Sequence, residues 1–304
     1  MNKVRPADIS ILILMCTLFG LTFIATKFAL EGLGIFQVVF GRYGTAFLVL
    51  MIVYRRRLHN FSIASQDIKH FLALTMVEPV GYFIMETFGV RYSSPANVSL
   101  IIATIPVFAV IFAFFILKER LSLVNILGIF VSIFGVYFIA ALQQSSDLAP
   151  RPVLGNFLTL GGAVAAGLYN SLARRLTQKY SPLTLTYYQT FMATIVFLPL
   201  AVIEYFFPVL SSVEGSGDIH INAFIVGNVF FLAIGGSIFA YFLLNRALSR
   251  LGAAQVAVFS NFIPVVTIIF SYFLFNELLR PLQFVGAGCV LAGIYLTYKQ
   301  KVSD

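Results

Sequence analysis

PANVSLIIATIPVFAVIFAFFILKERLSLVNILGIFVSIFGVYF, residues 95–138, occurs twice in this chain. Moved forward by 158 positions, so that Pro95 falls on Ala253, it lies without a gap over AAQVAVFSNFIPVVTIIFSYFLFNELLRPLQFVGAGCVLAGIYL, residues 253–296. Ile105-Pro106-Val107 meets Ile263-Pro264-Val265, and Glu119 meets Glu277. Gly128, Gly135 and Tyr137 meet Gly286, Gly293 and Tyr295. Apolar letters match often by chance, but Pro, Glu, Gly and Tyr held in one register do not. The stretch is an internal duplication, and it sets the repeat unit of the fold.

The sequence around it is apolar throughout. Hydrophobic residues make up 60% of the 304 and charged residues 11%, with a mean hydropathy of +0.94. Soluble domains carry roughly 25% charged residues, and an uncharged apolar run of about 20 residues has the length of a bilayer-crossing helix. Ten such runs are read, at 9–30, 36–54, 70–90, 94–117, 122–141, 153–174, 182–206, 222–245, 253–276 and 280–298. The first is too long for a signal-peptide core and lacks a small-residue cleavage site, so it counts as a span. Cys16 and Cys289 sit inside apolar runs without paired or metal-ligand spacing, as small core residues do.

Ten spans place both termini on one side. That side takes fifteen Lys and Arg residues, including the linker Arg55, Arg56 and Arg57; the other takes Lys27, Arg91, Arg151 and Arg280. The asymmetry makes the first side cytoplasmic and the membrane a plasma membrane, the inner one in a bacterium. Glu214 and Asp218 then fall outside. The net charge of +8 is thus a topology signal in short clusters. No basic stripe with interleaved aromatics speaks for nucleic acid.

The duplicated stretch covers spans 4–5 and 9–10, so the unit is five helices: residues 1–145, then 150–300. Because five is odd, the second unit is expected upside down, with Glu119 cytoplasmic and Glu277 external. The first helices match at an offset of 147, Gly20 with Gly167 and Lys27 with Arg174. Two inverted halves around one central site can rock between inward-open and outward-open states. Duplication alone would leave the same trace in a pore or scaffold.

Both copies, and the opening LFGLTFIATKFALEGLGIFQVVFGRYGTAFLVL with Arg42 early in the second helix, resemble the EamA-type helices of the drug/metabolite transporter superfamily. The shared features are the mid-helix Pro, the Glu after the apolar run and the Gly-rich helix that follows. The resemblance covers nearly the whole chain. It implies an all-α integral membrane protein of ten transmembrane helices in two inverted five-helix repeats, with a central cavity open to one side at a time. It also implies carriage of amino acids, purines, sugars or other metabolites, often outward, without choosing among them.

One feature departs from any general motif of that family. Glu78 and Glu86, in MVEPVGYFIMETFGV at 76–90, are acids well inside a span, where ionised carboxylates are costly and usually functional. With Tyr82 they form an i, i+4, i+8 series along one stripe, suited to binding an amine or carrying a proton. Glu86 shares its depth with Lys27 and Arg42, and the three can instead neutralise one another as a charge cluster. Glu78 has no basic residue at its depth and is the better candidate for a substrate or proton site. At offset 158 the two map to Gly236 and Leu244, so any carboxylate chemistry is asymmetric.

Other polar residues within spans are Thr22, Tyr169, Asn170, Gln189, Ser260 and Asn261. Buried amides and hydroxyls orient polar substrates or join helices; Thr22, Tyr169 and Asn261 are the ones expected at the cavity. Pro106 and Pro264 lie near mid-membrane, where each removes a donor from the carbonyl four residues earlier. They are expected as kinks lining the cavity, or else as packing kinks. The glycine pairs, each seven residues apart, mark smooth faces for close helix packing.

The chain has no GxxxxGK for ATP, no GxSxG and no HExxH, and His59, His70 and His220 have no metal-site company. The reading is therefore a carrier without cofactor or metal, not an enzyme. Its partners are the lipid bilayer and a small-molecule substrate, with transport driven by protons or by the solute's own gradient. Ten helices enclose a cavity in one chain, so a monomer suffices. The function expected is secondary transport of small organic metabolites, amino acids or related polar or amine compounds, as exporter or exchanger by alternating access. The alternatives are a passive channel or scaffold, and an intramembrane enzyme using Glu78 and Glu86 as acid and base.

Overall fold

The computed structural model describes residues 6–55, 63–117, 123–141, 143–207, 222–251, 256 and 259–299. Glu119, the pair Arg56 and Arg57, the loop with Glu214 and Asp218, and the opening of the second repeat at Ala253 lie outside the described residues. The named elements of the described residues are all helices, joined by turns and short irregular segments, with an isolated bridge between Ser146 and Ala149. Seven segments are long and apolar enough to cross a membrane: Asp8–Ala29, Ile35–Ile52, Ser65–Tyr92, Pro95–Ile116, Pro152–Thr177, Pro182–Phe206 and Ala223–Leu251. Ile126–Ile139, Phe262–Phe275 and Pro281–Leu296 are shorter apolar helices. This is a multi-pass membrane protein.

The helices are α1 (Pro6–Ala29), α2 (Ile35–Tyr54), α3 (Ile68–Thr75), α4 (Tyr82–Tyr92), α5 (Pro95–Ile102), α6 (Ile105–Leu117) and α7 (Leu123–Ala141), then α8 (Pro152–Thr177), α9 (Pro182–Phe206), α10 (Ala223–Phe231), α11 (Tyr241–Leu251), α12 (Phe262–Phe275) and α13 (Pro281–Lys299). Six π-helical residues, Met76–Gly81, join α3 to α4, and a longer π-helical piece, Leu232–Ala240, joins α10 to α11.

The breaks have local causes. Proline disfavours the helical region for the residue before it, and Glu78, before Pro79, is extended at φ −149°, ψ 122°. Pro106 and Pro264, expected as mid-helix kinks, instead sit within the first turn of α6 and α12. There the missing N–H costs nothing, because first-turn donors have no partner inside the helix. The break between α5 and α6 falls at Ala103 and Thr104. At Glu78, before Pro79, the backbone leaves helical geometry inside a helical run, where no kink was expected.

Packing is reciprocal between the halves. Gly20 of α1 lies against Val266 of α12; Gly167, its match at offset 147, lies against Phe108 of α6, the match of Val266 at offset 158. α7 and α13 pack along their lengths. A Cβ on Gly135 would meet the Gly286 carbonyl at 2.6 Å, and one on Gly286 would meet the Gly135 carbonyl at 2.8 Å. Gly293 approaches Gly128 in the same way, so the two helices run antiparallel. Between those contacts Ser132 donates to the carbonyl of Val290, its own match at offset 158 (3.2 Å).

The ends of α2 and α9 break the pattern. Ser181 caps α9 with its own hydroxyl, which accepts from the Thr184 amide. Its match, Gly34, has no side chain to offer α2. Buried Glu204, near the end of α9, supplies the carboxylate instead, accepting from the Gln37 amide at 2.8 Å. A side chain on Gly34 would run into that carboxylate. The first half thus takes its cap from the second.

Overpacking a close contact costs about 1–3 kcal/mol, whereas Gly→Ala in open helix gains about 0.5–1 kcal/mol. Gly135→Ala is therefore expected to lower the melting temperature in detergent. Gly288→Ala, whose Cβ would have nothing within 4 Å, is expected to leave it level or raise it. Equal effects from the two would remove the glycine seam as the reason α7 and α13 pair.

Candidate functional site

A narrow central cavity of about 60 Å³ lies between the halves. Its wall is built largely from matched pairs. Phe19 and Ala166, then Phe23 and Asn170, match at offset 147; Phe83 and Tyr241, Glu86 and Leu244, Ile102 and Ser260, and Ile105 and Ile263 match at offset 158. Thr22, Glu78 and Tyr82 complete the lining. The cavity therefore straddles the relation between the repeats while its chemistry does not: both carboxylates come from the first half.

Glu78 owes its position to the extended residue before Pro79, which sets the carboxylate among aromatic rings. It is 4% exposed. The Tyr241 hydroxyl, from the other half, donates to its Oε1, while Oε2 has no partner among the described residues. Tyr241 meets Phe19 edge to face at 5.4 Å between centroids and lies 6.2 Å from Phe83, and Tyr82 meets Phe83 at 4.8 Å. Glu86, two turns along α4, accepts from Thr87 at 3.2 Å.

Arg42 stands behind this wall and is not part of the lining. Its guanidinium carbon lies 4.2 Å from the centroid of the Phe83 ring, and Nε donates to Ser237 at 3.0 Å. Nη2 has no partner among the described residues. A Cβ on Gly236 would meet both that nitrogen and Thr22, so only glycine fits there beside Arg42. Arg42 is within electrostatic reach of Glu86, as their shared depth implies.

Lys27 is a correction to the expected charge cluster. Its ammonium donates to the carbonyls of Val90 (2.9 Å), Ser93 (3.1 Å) and Leu148, tying α1 to the end of α4 and to the linker between the halves. It does not neutralise Glu86. Tyr169 also stands away from the cavity: its hydroxyl donates to Asn245 at 2.8 Å and accepts from Gln189 at 3.1 Å. Its neighbour Asn170 takes the lining position. Asn261 likewise yields to Ser260, and Pro106 and Pro264 yield to Ile105 and Ile263. Ile102 and Ser260, four residues before those prolines, are in the lining as well.

Tyr241 and Ser237 were missed in the sequence, where both sit in an unbroken apolar run. The register held a signal for each: Tyr241 falls opposite Phe83 at offset 158, and Ser237 opposite Pro79. Glu204 was missed because it lies at the edge of its span.

Three kinds of comparison bear on this arrangement. The sequence profile of the EamA-like transporter family matches residues 7–141 and again 153–299. The uncharacterized transporter YcxC of Bacillus subtilis (strain 168) is 28% identical over 96% of this chain and 93% of its own length. A probable terminal-alkyne amino-acid exporter of Streptantibioticus cattleyicolor is 25% identical over 71% of this chain and 68% of its own. One protein known from a crystal structure shares the fold at a TM-score of 0.66 and 15% identity, covering 99% of this chain and 100% of its own. With the profile matched in both halves and the cavity at their junction, the chain belongs to the EamA-like transporter family.

Proposed function

We propose that this transporter is a secondary carrier of small organic metabolites, amino acids or related polar or amine compounds. It works by alternating access as an exporter or exchanger, in a bacterial-type inner membrane with both termini cytoplasmic. All ten apolar helices cross, and the second repeat is inverted relative to the first. The antiparallel α7–α13 pair supports the inversion, because these helices are equivalent in the two repeats. The distant relative, a probable terminal-alkyne amino-acid exporter, supports outward transport of amino acids. A passive channel or scaffold is the competing reading; an enzyme acting through Glu78 and Glu86 is the weaker one.

The observation that carries the proposal is Glu78. A buried carboxylate with one oxygen bonded across the cavity and the other without a partner among the described residues is a group in want of a proton or a cation. Glu78, Tyr82, Glu86 and Thr22 are the proposed substrate-contacting residues. Arg42 is a charge behind them. Tyr169, Asn261, Pro106 and Pro264 act on the wall from outside it. Protons are the proposed coupling ion.

Hydrogen bonds to charged groups contribute about 1.5–3 kcal/mol, so losing one to the substrate costs roughly ten- to hundredfold. In proteoliposomes loaded with a mixed metabolite pool, Glu78→Gln is expected to cut counterflow by that factor while the melting temperature holds. Unaltered kinetics and pH dependence would remove Glu78 from the site. Flux without trans-stimulation would mark a channel, and a covalently altered solute an enzyme.

Topology is tested separately. Cysteines at Glu119 and at Arg280, which is exposed just ahead of α13, are expected to react with impermeant reagents from opposite membrane faces. Same-side labelling would overturn the inversion.

A further inference from the structure

The cavity's charge and surface define a narrower class of occupant. Its lining holds two carboxylates, Glu78 and Glu86, and no cationic side chain. Arg42 is the charge within electrostatic reach of Glu86, and it is held behind the wall by Ser237 and the Phe83 ring. One positive charge set against two carboxylates leaves one carboxylate over. That one is Glu78, whose Oε2 has no partner among the described residues.

The surface around Glu78 is aromatic. Phe19, Tyr82, Phe83 and Tyr241 share the lining with Glu78; Tyr241 donates to its carboxylate and meets Phe19 edge to face. Ring faces attract cations, and Phe83 already has one, Arg42, at 4.2 Å. Farther round, Ile102, Ile105 and Ile263 are apolar. A carboxylate in a lining of aromatic and aliphatic side chains suits an ammonium carried on an apolar body. A second, anionic group on the same solute would find no cation in the lining and would face Glu78 and Glu86.

We propose that the cavity selects organic monocations, an ammonium on an apolar or ring-bearing body, and discriminates against the zwitterion that carries an added carboxylate. This rests on the carrier reading and narrows its substrate class.

The test compares two solutes that differ by that carboxylate alone. Proteoliposomes are loaded with unlabelled phenethylamine or phenylalanine and challenged with the labelled compound. A like-charge contact disfavours the zwitterion, so the amine is expected to exchange with about tenfold or greater preference. Glu86→Gln leaves Arg42 without its counter-charge and makes the set neutral, so it is expected to shrink that preference. A structural role for Glu86 would lower both rates together and leave their ratio unchanged.

Equal or better exchange of phenylalanine overturns the proposal and leaves the carrier intact. So does failure of both compounds while another solute of a mixed pool shows counterflow. An unchanged amine-to-amino-acid ratio in folded Glu86→Gln protein overturns the charge-balance argument. Absence of counterflow for every solute of the mixed pool strikes the carrier reading itself.

Discussion

Hydrocarbon offers no hydrogen bonds, and that constraint orders the rest of this structure. A backbone group or carboxylate facing lipid without a partner costs several kcal/mol, so irregular backbone is tolerated only where protein or an internal cavity covers it. The helix breaks obey this rule. The extended residue at Glu78, and Ile102 and Ser260, which precede the helix starts carrying Pro106 and Pro264, all line the central cavity. The lipid-facing surfaces of α7 and α13 are continuous helix carrying large apolar residues such as Phe130, Phe134, Phe284 and Tyr295.

The duplication explains why the breaks meet. Each proline enters the helix at an equivalent place, and each half presents its equivalent residues to the same gap. Glycines provide the closeness this requires, Gly20 under Val266 and Gly167 under Phe108. Once two copies are packed this way, single substitutions can break the equivalence without moving backbone. Glu78 and Glu86 stand against Gly236 and Leu244, and Arg42 stands against Gln189 at offset 147. In the second half Gln189, Asn245 and Tyr169 satisfy one another as a neutral network. In the first half the equivalent region is charged.

Depth along a helix was legible in the sequence; direction around it was not. The offsets of 158 and 147 anticipate the cavity wall nearly pair by pair, because packing follows register. Lys27 was expected at the level of Glu86, yet its ammonium turns to three carbonyls at the end of α4 and in the linker. Tyr169 and Asn261 each miss the lining by one residue, a rotation of about 100° on a helix. Tyr241 looked like any aromatic in an apolar run, because its role depends on Glu78, far away in the chain. Pro79 was overlooked although the rule for the residue before proline applies there as elsewhere.

The buried charges are settled mainly by dipoles. Lys27 and Arg91 donate to backbone carbonyls. Glu204 and Glu277 accept amides at the starts of α2 and α5, where the helix dipole favours negative charge. Lys27, Arg91, Glu204 and Glu277 all stand outside the cavity lining, so what enters the cavity does not touch them. Glu78 differs, because it lines the cavity, bonded to a single tyrosine hydroxyl from the opposite half and with its second oxygen unpartnered among the described residues. A carboxylate held so lightly, in the cavity wall itself, is where an occupant's charge has the greatest leverage on the balance between the two halves.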